Sequence, residues 1–157
     1  MTWRSLRRVS ARSGADRWLL LQAVVWLGLL RAAILVVPFQ WIARMLGLAL
    51  GESPPSVDPT QTAEAERIGW AVRAAASRTP WQSACLAQAL AGATLMRRRG
   101  LPGTLYLGVT KEVGAPGSIS AHAWLRCGTT IVTGAAGHER YTIVAAFAIP
   151  LVNTTAR

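Results

Sequence analysis

Residues 83–109, "SACLAQALAGATLMRRRGLPGTLYLGV", change period in the middle. Up to Arg99, the apolar residues Leu86, Leu90 and Leu95 mark one stripe in an alanine-rich background. Beyond Gly100 the apolar residues alternate, as in a strand with one buried face. The switch predicts a helix over 83–99 and a strand over 104–109. Arg97, Arg98 and Arg99 fall at the helix's negative end, where its dipole favours cations, and Gly100 supplies the stop. The triple arginine thus has a structural role that requires no nucleic acid.

The alternation continues toward the C-terminus. "SAHAWLR" (120–126), "TIVT" (130–133) and "YTIVAAFA" (141–148) read as strands, with loops at 113–118 and 134–140 and a turn at "CGT". Upstream, "DPTQTAEAERIGWAVRAAASR" (58–78) carries Asp58 as a cap, Pro59 at the first helical position and Gln61 at capping-box spacing. Ile68 and Val72 lie four apart on one face of that helix, which should end before Pro80. Helices first and clustered strands afterwards imply an α+β fold, a helix packed on an antiparallel sheet.

The remaining N-terminal part is apolar. In "WLLLQAVVWLGLLRAAILVVPFQWIARMLGLAL" (18–50) the charge-free runs are 13 residues (18–30) and 12 residues (32–43). A spanning helix needs about 20. Arg31, Pro38 and Arg44 interrupt the stretch, which reads as helices over 17–36 and 39–50. They would pack on the domain or lie at a membrane surface with their arginines snorkelling. "GESPPSVDPT" (51–60) holds three prolines and reads as a linker. The expected organisation is a basic, apolar helical segment over 1–50, a linker over 51–60 and a domain over 61–150.

The chain has 157 residues, 52% of them apolar, enough for one domain with a modest core. Lys+Arg is 17 against 7 Asp+Glu, a net charge of +10. That excess favours acidic partners without choosing among nucleic acid, anionic lipid and acidic peptide. No recognised nucleic-acid module accompanies it, so no nucleic-acid partner is expected. No A-x-A-like site closes the apolar run, so a cytoplasmic setting with both thiols free is expected.

Two residues stand out chemically. Cys85 falls in the first turn of its helix if Ser83 or Thr79 caps it, and a helix N-terminus stabilises a thiolate. His122 lies 37 residues later on a strand, between Ala121 and Ala123, sharing a face with Ser120, Trp124 and Arg126. If the sheet packs against the helix start, the two would meet as nucleophile and base. The set Cys85, Cys127, His122 and His138 has no CxxC or HxxxH-like spacing, so no metal and no cofactor is expected.

"CLAQALAGATLMRRRGLPGTLYLGV" (85–109), "SAHAWLRCG" (120–128) and "IVTGAAGHERYTIVAAFA" (131–148), in this order, resemble the transglutaminase-like leader peptidases of lasso-peptide biosynthesis. These are the B-protein C-terminal, microcin-processing type, and the resemblance covers about residues 80–148. It implies a transglutaminase-like, papain-like cysteine protease that cuts the leader from a ribosomally made precursor peptide. It also implies a small leader-recognition protein supplied in trans, and a lasso cyclase acting afterwards. By position Cys85 is the nucleophile and His122 the general base. The family's acid, usually Asp on the next strand, is missing: the chain's aspartates are Asp16 and Asp58. Thr133 lies closest to that place, and Glu139, the one acid after His122, falls in a loop. Gln82 or Trp81 would donate a side-chain N–H to the oxyanion. The alternative is a non-catalytic, basic peripheral-membrane or scaffold protein with the same fold.

Overall fold

Gly100 marks where the chain passes from helices to sheet. The computed structural model describes residues 14–78, 85–111 and 118–150. Its elements are α1 (Gly14–Val36), α2 (Phe39–Met45), β1 (Ala49–Leu50), α3 (Pro59–Ala76), α4 (Cys85–Arg98), β2 (Thr104–Lys111), β3 (Ile119–Cys127), β4 (Thr130–Thr133) and β5 (Thr142–Ala148). A short 3₁₀ turn, His138–Arg140, precedes β5. The sheet order is β1-β5-β2-β3-β4, and every pair is antiparallel. The α+β architecture inferred from the sequence is the one observed.

Local chemistry explains the element boundaries. Asp58 accepts the Thr60 N–H at 2.7 Å, and Gln61 accepts the Asp58 N–H at 3.3 Å, so α3 starts with a capping box. Pro38 holds extended backbone (φ −57°, ψ 140°) and separates α1 from α2. The second helix is shorter than the sequence suggested, because Gly47 turns the chain out at φ +63° and residues 49–50 join the sheet. At the end of α4, Gly100 takes φ +65°, and the Leu101 N–H returns to the Met96 carbonyl at 3.0 Å.

α4 is buried on every side. Ala87, Ala89, Leu90, Ala91, Ala93 and Leu95 are each 2% exposed or less. A helix apolar all round belongs between two layers, and α4 lies between α1 and the sheet. The one hydroxyl inside it, on Thr94, donates back to the Leu90 carbonyl at 2.8 Å. Its terminal arginines act as ties. Arg97 reaches the Met45 carbonyl at 3.5 Å, Arg98 lies 5.8 Å over the Trp26 ring, and Arg99 pairs with Glu64 at 3.1 Å and Gln22 at 3.1 Å.

The N-terminal segment is not an appendage. Leu19, Ala23, Leu27 and Leu30 form one stripe of α1 and share the core with Ile68, Leu90 and Leu125. Burying a leucine is worth roughly 1.5–3 kcal/mol, so the three in α1 supply a sum comparable with a small domain's whole stability. β1 pairs with β5, Ala49 opposite Ala148. The expected linker crosses the sheet, where the Ser53 N–H donates to Thr104 Oγ1 at 2.9 Å. The sequence boundaries at 50 and 60 therefore divide a single packed unit.

Candidate active site

The pleat of β3 sorts its side chains onto two faces. Leu125 and Ala123 point toward the helices: a methyl group added at Gly92 of α4 would meet Leu125 Cδ2 at 2.7 Å. Ser120, His122, Trp124 and Arg126 point the other way, opposite Thr110, Gly108, Tyr106 and Thr104 of β2. This outer face carries a row of rings. Tyr106 stacks on Trp124 with centroids 5.4 Å apart, Trp124 stacks on His122 at 5.9 Å, and Tyr141 lies tilted against His122 at 5.0 Å. Gly108 makes the row possible, since a side chain there would strike Trp124 and Tyr141 within 2.9 Å.

The His122 ring is fixed by the backbone. Its Nε2 lies 2.8 Å from the Gly134 carbonyl oxygen. A carbonyl only accepts, so Nε2 carries the proton and Nδ1 is the nitrogen with a lone pair in the neutral ring. Gly134 has φ +74°, and a methyl group there would lie 2.5 Å from the Ala123 oxygen. The contact that orients His122 therefore depends on glycine at 134.

Thr133, the expected orienting residue, does not reach the ring. It pairs with Leu125 and shares that residue's helix-facing side. Its Oγ1 is buried and has no hydrogen-bond partner among the described residues. One residue further on, the chain turns at Gly134 and offers its carbonyl instead. Glu139 sits 69% exposed beside His138, 3.4 Å from Nδ1.

Cys85 is half-buried and is the first residue of α4. Gly92 packs at the level of Leu125, and Met96 at the level of Gly103, next to the end of β3. The helix and β3 therefore run side by side. Seven residues of helix rise about 10 Å, roughly three strand residues, so the start of α4 lies toward the His122 end of β3. Cys85 and His122 stand on different sides of β3, and no hydrogen bond joins them among the described residues. β4 pairs with β3 only at Leu125–Cys127, so the part of β3 that bears His122 has no strand on that side among the described residues. Gln82, Trp81, Ser83 and Thr79 lie outside the described residues.

Cys127 is the other sulfur and is fully buried among the core residues. Burial pushes its thiol up, against a smaller opposite pull from Arg126. No three His, Cys, Asp or Glu side chains converge on a common point among the described residues.

A second polar group, not anticipated from the sequence, holds the same face. The Tyr106 hydroxyl donates to Glu52 Oε2 at 2.7 Å, and Arg126 Nε donates to the Tyr106 oxygen at 2.9 Å. Arg126 also reaches the carbonyls of Ser53 and Gly128. Burial raises the Tyr106 phenol, and its bond to Glu52 adds to the rise. Thr104 and Tyr106 stand at alternate positions of β2 and Arg126 across from Thr104 on β3, a relation set by strand pairing.

A family model described as the transglutaminase-like superfamily matches residues 33–146. Neither the curated proteins nor the solved structures gave a match.

Proposed function

The chain belongs to the transglutaminase-like superfamily, and on that premise we propose that it is a cysteine peptidase that removes the leader from a ribosomally made lasso-peptide precursor. The observation that carries the reading is the fixed tautomer of His122. Nε2 is bonded to Gly134, and Nδ1 holds the lone pair on a strand that packs against the helix starting with Cys85.

The chemistry follows from those groups. Nδ1 takes the Cys85 proton as the sulfur attacks the scissile carbonyl carbon. Helix N–H groups, with Gln82 in the notional donor position, meet the oxygen that becomes negative. The imidazolium returns its proton to the leaving amine, and the carbon–nitrogen bond breaks. Water then attacks the thioester, giving its proton to Nδ1, the carbon–sulfur bond breaks, and the released thiolate takes that proton back. The imidazolium is flanked by Trp124 and Tyr141 and bonded to a carbonyl, with no carboxylate in Thr133's place. This requires Cys85 to reach the ring past the open edge of β3. The recognition protein and the lasso cyclase are partners under the same reading, and its setting is the cytoplasm, at the inner membrane face.

The test is cleavage of a leader-bearing peptide with the recognition protein present. Cys85→Ala and His122→Ala should each lower kcat/KM at least about a thousandfold, as in nucleophile–base pairs. The different faces of Cys85 and His122 favour a second reading, a peptide-binding scaffold that does not cut. Iodoacetamide labelling of Cys85 separates the two. A rate that is unchanged in His122→Ala, together with no cleavage, selects the scaffold.

A further inference from the structure

α1 shows the solvent a face as apolar as the one it buries. Leu19, Ala23, Leu27 and Leu30 face the core. Trp18, Leu21, Val25 and Leu29 lie on the opposite side, and each is at least 48% exposed. Leu35 and Val36 continue that side, and α2 adds Trp41 and Met45. Between the two helices lies an apolar cleft of about 220 Å³, floored by Leu30 and Ile42 and rimmed by Trp26, Leu29 and Met45. Soluble monomers rarely leave so continuous an apolar surface uncovered.

We propose that the outward faces of α1 and α2 dock the protein flat on an anionic lipid bilayer. Charge selects this occupant. Arg31 lies one turn before the exposed Leu35 on α1, and Arg44 lies 5.6 Å over the Trp41 ring. The sequence just before α1 adds Arg4, Arg7, Arg8 and Arg12. Asp16, the acid of α1, is engaged by Arg67 at 2.7 Å. Apolar and tryptophan side chains bordered by arginines match the boundary between acyl chains and anionic headgroups.

The helix lies on the bilayer and does not cross it. By length and composition α1 is long and apolar enough to span. Spanning would pull Leu19, Leu27 and Leu30 out of the core and sink Arg31 in the hydrocarbon. α1 also packs on α3 and α4, on the far side from the sheet. In the docked state the His122 face therefore looks into the water.

The experiment is flotation of the full chain with vesicles of phosphatidylcholine alone and of phosphatidylcholine with 30% phosphatidylglycerol. Binding to the anionic vesicles, weakened by salt and accompanied by a blue shift of tryptophan emission, is the expected result. Arg31→Gln and Arg44→Gln should each weaken binding about fivefold. Leu21→Ser with Leu29→Ser should abolish it while leaving thermal unfolding nearly unchanged, because both side chains are exposed. Equal binding to both vesicles, or none, overturns the proposal. So does a self-association by sedimentation that the Leu21/Leu29 double variant removes, which would make this face a protein interface. Resistance of the bound protein to carbonate extraction would show a spanning helix instead.

Discussion

His122 Nε2 and the carbonyl oxygen of Gly134 lie 2.8 Å apart, and this contact ties a side chain on β3 to a turn that only glycine fits. The orienting group is main chain, so no side-chain deletion removes it. It can be disturbed only by changing the backbone that presents it.

Gly134→Ala is the direct test. The new methyl would lie 2.5 Å from the Ala123 oxygen and 2.8 Å from Trp124 Cβ, at a φ of +74°. A destabilisation of roughly 1–3 kcal/mol is expected from the forced backbone. The imidazole ¹⁵N spectrum should lose its single Nε2–H tautomer. A variant that keeps both stability and tautomer would show that the turn is not what holds the ring.

Thr133→Val should behave in the opposite way. The Thr133 hydroxyl is buried without a partner among the described residues, which costs roughly 1–3 kcal/mol in comparable sites. A methyl of the same shape removes that cost. Chemical denaturation should show a gain in stability, and the His122 tautomer should be untouched. Loss of the tautomer would put Thr133 back in contact with the ring.

Two glycine-to-alanine changes in helices should differ in sign from helix propensity, which favours alanine by about 1 kcal/mol. At Gly69 of α3 the new Cβ would meet the Val132 backbone oxygen at 2.3 Å. At Gly92 it would meet the end of a leucine side chain at 2.7 Å. The backbone cannot step aside and the leucine can turn. Gly69→Ala should therefore lower Tm more than Gly92→Ala, and the reverse order would mean that α3 sits further from β4 than described.

Alkaline pH should unfold the protein early. Both Cys127, from 9.0, and Tyr106, from 10.0, have their folded-state values raised, chiefly by burial. Each holds its proton more tightly when folded, so its contribution is complete below the unfolded value and is lost as pH rises through the folded one. Between neutral pH and about pH 9 these two groups leave Tm level, and beyond it their contribution falls. Cys127→Ala should flatten the first part of that fall, and an unaltered profile would remove Cys127 from the explanation.

The strands, the capping box and the helix stop at Gly100 were legible because each depends on residues near in sequence. The burial of Ile68 and Val72 followed from their spacing. The role of α1 did not, because an apolar helix has no periodic mark that says which stripe is covered. The partner of His122 was missed by one residue. Deciding between Thr133 and Gly134 needs the pairing of Leu125 with Thr133, and then the sharp turn that follows it. The Glu52–Tyr106–Arg126 knot joins residues up to 74 positions apart, a relation that no local pattern encodes.

The thinness of α4 changes what a mutational map of this chain should look like. In most cores the damaging substitutions are those that trim a large residue. Along Ala87–Ala93 the small residues let α4 pack closely against α1 on one side and the sheet on the other. Enlargement of a buried alanine there pushes against a packed layer, with less relief than at Gly92, where a leucine side chain can turn aside. The buried alanines of this helix should thus tolerate the fewest replacements, and the leucines around them more.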